Sequence, residues 1–117
     1  MKRLLLAVLA SSIASLAYAH TKLATSSPAS GASVATPTEL VLEFGGDVRL
    51  TAVALTAASG AEIQLDPVPT AVASKFAVAV RAPLTPGEYL VVWRAVGADT
   101  HIVSGEFRFS VAATHSH

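Results

Sequence analysis

Three residues in this chain have the right chemistry to hold a transition metal without sulfur: His20, Asp99 and His101. Asp99 and His101 are separated by one residue. On an extended backbone, residues two apart project to the same side with roughly 6.5–7 Å between Cα atoms, so a carboxylate and an imidazole in that pattern converge on one ion. His20 becomes a chelate if it is the first residue of a processed chain. Its α-amine then has an ordinary pKa of about 7.7–8.0 and its imidazole about 6.5, and both give up a proton to a strongly binding metal near neutral pH. Amine and Nδ1 of the same residue close a chelate ring. The set amounts to three nitrogens and one oxygen, and tetragonal N,O coordination is what Cu(II) favours. Zinc would take the same donors tetrahedrally.

The condition on His20 is met by what precedes it. Met1 to Ala19 reads MKRLLLAVLASSIASLAYA, with Lys2 and Arg3 at the start, an apolar run from Leu4, and Ala17-Tyr18-Ala19 before His20. That is the layout of a secretory signal peptide with an A-x-A cleavage site, so residues 1–19 are expected to be removed by a cut after Ala19. Ser11, Ser12 and Ser15 interrupt the apolar run, which makes a permanent span the weaker reading. No later stretch is apolar enough to anchor the processed chain, and no stable membrane insertion is expected.

Composition narrows the chemistry further. Removing Lys2 and Arg3 leaves 6 Lys plus Arg against 8 Asp plus Glu, a net charge of −2, so no basic surface remains for nucleic acid. There is no cysteine, and the single methionine is Met1. Thiolate and thioether ligands are therefore absent from the processed chain, which favours Cu(II) or Zn(II) over Cu(I). No serine has a nucleophile-elbow setting such as G-x-S-x-G.

The elements that must position these donors read as strands. Leu40, Leu42 and Phe44 alternate with Val41 and Glu43, and Gly45-Gly46 is expected to close that strand. Val48 to Ala57 is a second run, followed by a Ser59-Gly60 turn and by Ile63 and Leu65. Pro67 and Pro69 mark a loop or an edge. Phe76, Val78 and Val80 alternate again, as do Tyr89, Val91, Trp93 and Ala95, and then Phe107, Phe109 and Val111. Six or seven short runs spaced by turn chemistry, with no helical period, predict an all-β Greek-key sandwich; a barrel is the other architecture this pattern allows. Trp93 and Tyr89 share the apolar face of Val91 and read as core, and Arg94 as its outward neighbour. His115 and His117 form an H-x-H pair in the polar tail 113–117, which reads as a loose end with at most accessory metal binding.

The start HTKLATSSPASGA, the run Leu40 to Phe44 and above all WRAVGADTHIVSGEFRFSV from Trp93 to Val111 resemble the CopC family of periplasmic copper-binding proteins. The resemblance spans nearly all of the chain after the leader and implies an immunoglobulin-like fold over residues 20–112. It also implies one Cu(II) per chain, held by His20 with its amine, Asp99 and His101. The implied role is non-enzymatic, in periplasmic copper trafficking, homeostasis or resistance, with an inner-membrane copper transporter or another periplasmic copper protein as partner. Two departures stand out. Some members carry a methionine-rich Cu(I) loop, for which this chain has no residues. Some place a glutamate shortly after the strand ending at Phe44 as an outer partner of the copper site; Gly45-Gly46 stand there, and Asp47 is the candidate substitute. The competing readings are a histidine-brace copper oxygenase or oxidase, and a structural β-domain without metal.

Overall fold

Apolar side chains at every second position force one face of each strand inward, and that alternation organises the core. The computed structural model describes residues 22–113. The leader, His20, His115 and His117 lie outside the described residues. Seven strands run in chain order: β1 (Leu23–Ser27), β2 (Ser33–Val34), β3 (Glu39–Ala57), β4 (Glu62–Ile63), β5 (Ala73–Ala79), β6 (Gly87–Gly97) and β7 (Ile102–Val111). They form one hydrogen-bonded sheet in the order β1-β3-β6-β7-β2, with β4 and β5 on the remaining edge of β3. All pairings are antiparallel except β2 with β7. The all-β class and the sandwich expected from the spacing of strand-like runs are what is observed.

One expectation is corrected. Gly45-Gly46 does not close a strand, because β3 runs from Glu39 to Ala57 through both glycines. The backbone continues because its partners change rather than end. The first half of β3 pairs with β1 and β5, the second half with β6 and β4. Val48 is the crossing point, opposite both Ala73 of β5 and Gly97 of β6. β3 thus belongs to both layers.

A second irregularity sets which side chains face in. Leu42, Phe44, Val48 and Leu50 are buried at even positions, whereas Leu55 is buried at an odd one. The register against β6 shifts between Leu50 and Ala52, so Thr51 is an extra residue, and its Oγ1 donates to the Arg94 carbonyl at 3.0 Å. A bulge of this kind flips the faces of everything beyond it.

The interior is filled from both layers. Phe44 meets Trp93 edge-on at 5.1 Å and Phe76 at 6.0 Å, and Tyr89 stacks on Phe109 at 5.6 Å. Such offset aromatic pairs contribute about 0.5–1.5 kcal/mol each beyond area burial. The Tyr89 hydroxyl reaches the Thr85 carbonyl at 2.6 Å, so its one polar atom is satisfied. Trp93 and Tyr89 are core, as their spacing implies, and Arg94 is exposed between them and the end of β6.

Candidate metal centre

The corner joining β6 to β7 carries two of the three expected donors. Beyond the Val96–Ile102 pair the chain must reverse, and Gly97 closes the reversal from both sides. Its carbonyl accepts the Thr100 N–H at 2.9 Å, and its own N–H donates to the His101 carbonyl at 2.9 Å. Thr100 between them has φ 65°, in the left-handed region. The extended backbone expected for Asp99-x-His101 is therefore replaced by a tight corner. The donors converge by a different route, since a left-handed residue turns the next side chain back toward the previous one.

The result is a double contact between two residues. One carboxylate oxygen of Asp99, Oδ1, accepts the His101 backbone N–H at 3.1 Å, and Oδ2 lies 2.9 Å from the ring Nδ1. Hydrogen bonding to His101 holds the Asp99 carboxyl below the usual carboxylate range, the ring contact first and the backbone N–H second. The same bond, then the negative charge of Asp99, raises the His101 imidazole above its ordinary value. The two side chains are 48 % and 78 % exposed, so solvent reaches both.

What this pair can do chemically follows from its separation. Two donors bound at about 2.0–2.1 Å lie roughly 2.9 Å apart when they subtend a right angle and about 3.3–3.4 Å apart at the tetrahedral angle. The observed Nδ1–Oδ2 distance of 2.9 Å is that of a hydrogen bond, so the two donors already lie close enough to share one ion once the ring gives up that proton. Each carboxylate oxygen keeps a second lone pair beside its bond to His101. Among the described residues, no group of three or more His, Cys, Asp or Glu side chains converges, so Asp99 and His101 supply two donors and further ones must come from elsewhere.

The surroundings connect this corner to the beginning of the chain. The Lys22 carbonyl accepts the Gly45 N–H at 3.1 Å, and Leu23 opens β1 opposite Phe44. Three residues after Gly45, Val48 pairs with Gly97, which is the start of the corner. Asp47, between them, lines a shallow cleft with Arg49, Val72, Ala98 and Thr100. Asp47 therefore stands on the corner's side of β3, while Gly45 and Gly46 bring no carboxylate. The structure adds features that residue types alone do not reveal: the left-handed Thr100, and two exposed apolar side chains beside the corner, Val72 at 55 % and Ile102 at 68 %.

Comparison with known proteins bears on the fold and the family. A family profile described as CopC domain matches residues 23–112. Copper resistance protein C of Pseudomonas syringae pv. tomato is 33 % identical over 114 residues, covering 85 % of this chain and 86 % of that protein. Copper resistance protein C of Xanthomonas campestris pv. juglandis is 35 % identical over 120 residues, covering 89 % and 90 %. Among solved structures, PcoC of Escherichia coli, described as a methionine-rich copper resistance protein, superposes with a TM-score of 0.68 at 32 % identity, over 80 % of this chain and 99 % of that one. CopC of Methylosinus trichosporium OB3b superposes with a TM-score of 0.73 at 25 % identity, over 84 % and 99 %.

Proposed function

This chain belongs to the CopC family, and we propose that it is an exported periplasmic protein that binds one Cu(II) ion in copper trafficking, homeostasis or resistance. The ligands in this reading are the amine and imidazole of His20, freed by cleavage after Ala19, together with Asp99 and His101. Cu(II) rather than Cu(I) follows from the donor set, since Met1 is the chain's one methionine and there is no cysteine. The protein carries copper and does not turn over a substrate. It exchanges the ion with an inner-membrane copper transporter or with another periplasmic copper protein.

One observation supports the reading most. Lys22, bonded to Gly45, enters the fold at the segment of β3 that leads to Val48 and its partner Gly97, two residues before Asp99. Two more residues toward the N-terminus add a reach of at most about 7 Å, and in this reading His20 uses that reach to meet the corner. Cleavage and metal competence are coupled in this scheme, because the nitrogen of His20 is a poor ligand while it is part of a peptide bond.

The test is titration with Cu(II) of two proteins whose N-termini are verified by mass, one beginning at His20 and one with a single alanine before it. The first is expected to take up one equivalent, with an electron paramagnetic resonance spectrum of a tetragonal site rich in nitrogen. The second is expected to bind more weakly by at least about tenfold, a loss of about 1.4 kcal/mol. Equal affinity of the two forms would refute the N-terminal chelate.

A further inference from the structure

We propose that Thr100 is a positioning residue of the metal centre: its left-handed backbone aims Asp99 and His101 at each other, and its side chain keeps that corner narrow. The inference rests on the copper-binding reading above. It starts from an outlier. The other left-handed positions among the described residues are Gly31, Gly60 and Gly87, where the absence of a Cβ removes the penalty. Among the described residues, only between Asp99 and His101 does a β-branched residue stand at positive φ, 65°. A three-residue hairpin corner whose last residue is left-handed ordinarily has glycine there.

The consequence of that φ is geometric. In a regular strand, residues 99 and 101 would point the same way as parallel neighbours with Cα atoms roughly 6.5–7 Å apart, and only the ends of their side chains could meet. The reversal at Thr100 instead brings His101 back under the carboxylate, so that Oδ1 takes the backbone N–H at 3.1 Å and Oδ2 faces Nδ1 at 2.9 Å. The corner is held from several directions: Thr100 N–H to the Gly97 carbonyl, Gly97 N–H to the His101 carbonyl, and the Thr100 hydroxyl on the Asp99 carbonyl. Strained residues persist where their surroundings over-determine them, and they concentrate where a site must be preorganised. Glycine at this position would satisfy the same φ with less strain but would also admit several other conformations. Threonine admits few, so the pair keeps its relative orientation before the metal arrives.

Thr100→Gly and Thr100→Asn, each in protein beginning at His20, separate this role from a structural one. For Thr100→Gly, the melting temperature without copper is expected not to fall, because strain is relieved. Its Cu(II) affinity, measured by competition with a chelator, is expected to drop about two- to fivefold, the worth of one glycine's extra freedom. Its electron paramagnetic resonance lines should broaden as the corner samples more geometries. Asparagine enters the left-handed region while keeping a Cβ, so Thr100→Asn should retain affinity within about twofold of wild type. Wild-type affinity and line widths in Thr100→Gly would overturn the proposal. So would lowered melting temperature and lost affinity in both variants, which would make Thr100 a support of the fold. Absence of copper uptake by the wild type would instead remove the copper reading on which the proposal stands.

Discussion

Gly105→Ala is expected to destabilise the fold by about 1–3 kcal/mol, the usual cost of forcing one methyl group into a packed interior. Gly105 lies opposite Trp93 on the β6–β7 pair. A Cβ there would meet the indole at 2.8 Å from Cζ2, 3.0 Å from Cε2 and 3.1 Å from Nε1, where ordinary contact begins at 3.4 Å. The ring would have to retreat by about 0.6 Å, the difference between the contact limit and the closest approach. It has little room, because Phe44 packs edge-on against it at 5.1 Å and Trp93 is only 5 % exposed. For a domain of roughly 100 residues, each kcal/mol shifts the melting temperature by about 4–8 °C, so a fall of about 5–20 °C is expected by calorimetry or circular dichroism. The corner proposed to hold copper begins beyond the Val96–Ile102 pair, three rungs away. Cu(II) affinity at 25 °C should therefore stay within about twofold of wild type, as for independent sites. A melting temperature within about 2 °C of wild type would refute the packing argument, since even 1 kcal/mol should move it further.

Two further predictions concern the site. Asp99→Asn keeps the shape of the side chain and removes its charge, and is expected to weaken Cu(II) binding by at least about 10–100-fold, since loss of even an outer carboxylate partner of a metal-binding histidine costs that much and Asp99 is here a proposed ligand itself. In the copper-free protein, the same variant should lower the His101 imidazole pKa followed by nuclear magnetic resonance, because Asp99 is what raises it; an unchanged titration would contradict the contact. With pH, the sign differs for the two partners. The His101 contribution to native stability is present below its unfolded pKa and is lost as pH rises through its raised folded value. The Asp99 contribution is present above its unfolded pKa and is lost as pH falls through its lowered folded value. Both groups face solvent, so the effect on stability is small and the informative readout is metal binding. Protons compete for His101 from above the ordinary imidazole value of about 6.5, so Cu(II) affinity should fall steadily on acidification from pH about 7.5 to 5.5. Affinity constant across that range would contradict these donors.

Strand identity was legible wherever one face of the sheet is buried. Leu40, Leu42 and Phe44, Phe76 and Val78, Tyr89 to Ala95, and Phe107 to Val111 are all core at the positions their alternation implies. Strand ends were legible only where turn chemistry has one outcome. Ser59-Gly60 does turn the chain, with Gly60 at φ 96°, whereas Gly45-Gly46 does not, because pairing partners from elsewhere in the chain carry β3 through them. The bulge at Thr51 depends on the register against β6, which residue types along β3 do not encode. The Asp99–His101 pair was recognisable from donor chemistry. Its geometry was not, since local propensity puts glycine at a left-handed corner and threonine in a strand.

The position of the pair also follows from how the interior is built. Among the described residues the buried side chains are all apolar or aromatic, with no buried polar or charged residue. A charged carboxylate or a metal ion inside such a core would cost several kcal/mol in lost hydration unless every lone pair found a partner. Without cysteine the domain depends on that core for stability, so donors belong where strands end and water remains. The β6–β7 corner is such a place, with the His101 side chain 78 % exposed. In the proposed site, these exposed donors would leave a bound ion within reach of an incoming ligand, so that it could pass on by ligand exchange without unfolding any strand. That accessibility fits a carrier better than a permanent structural metal, and it predicts that a small competing chelator removes Cu(II) at a rate that rises with chelator concentration. A rate independent of chelator concentration would mean that the ion leaves only after the corner opens, and would argue for a closed site.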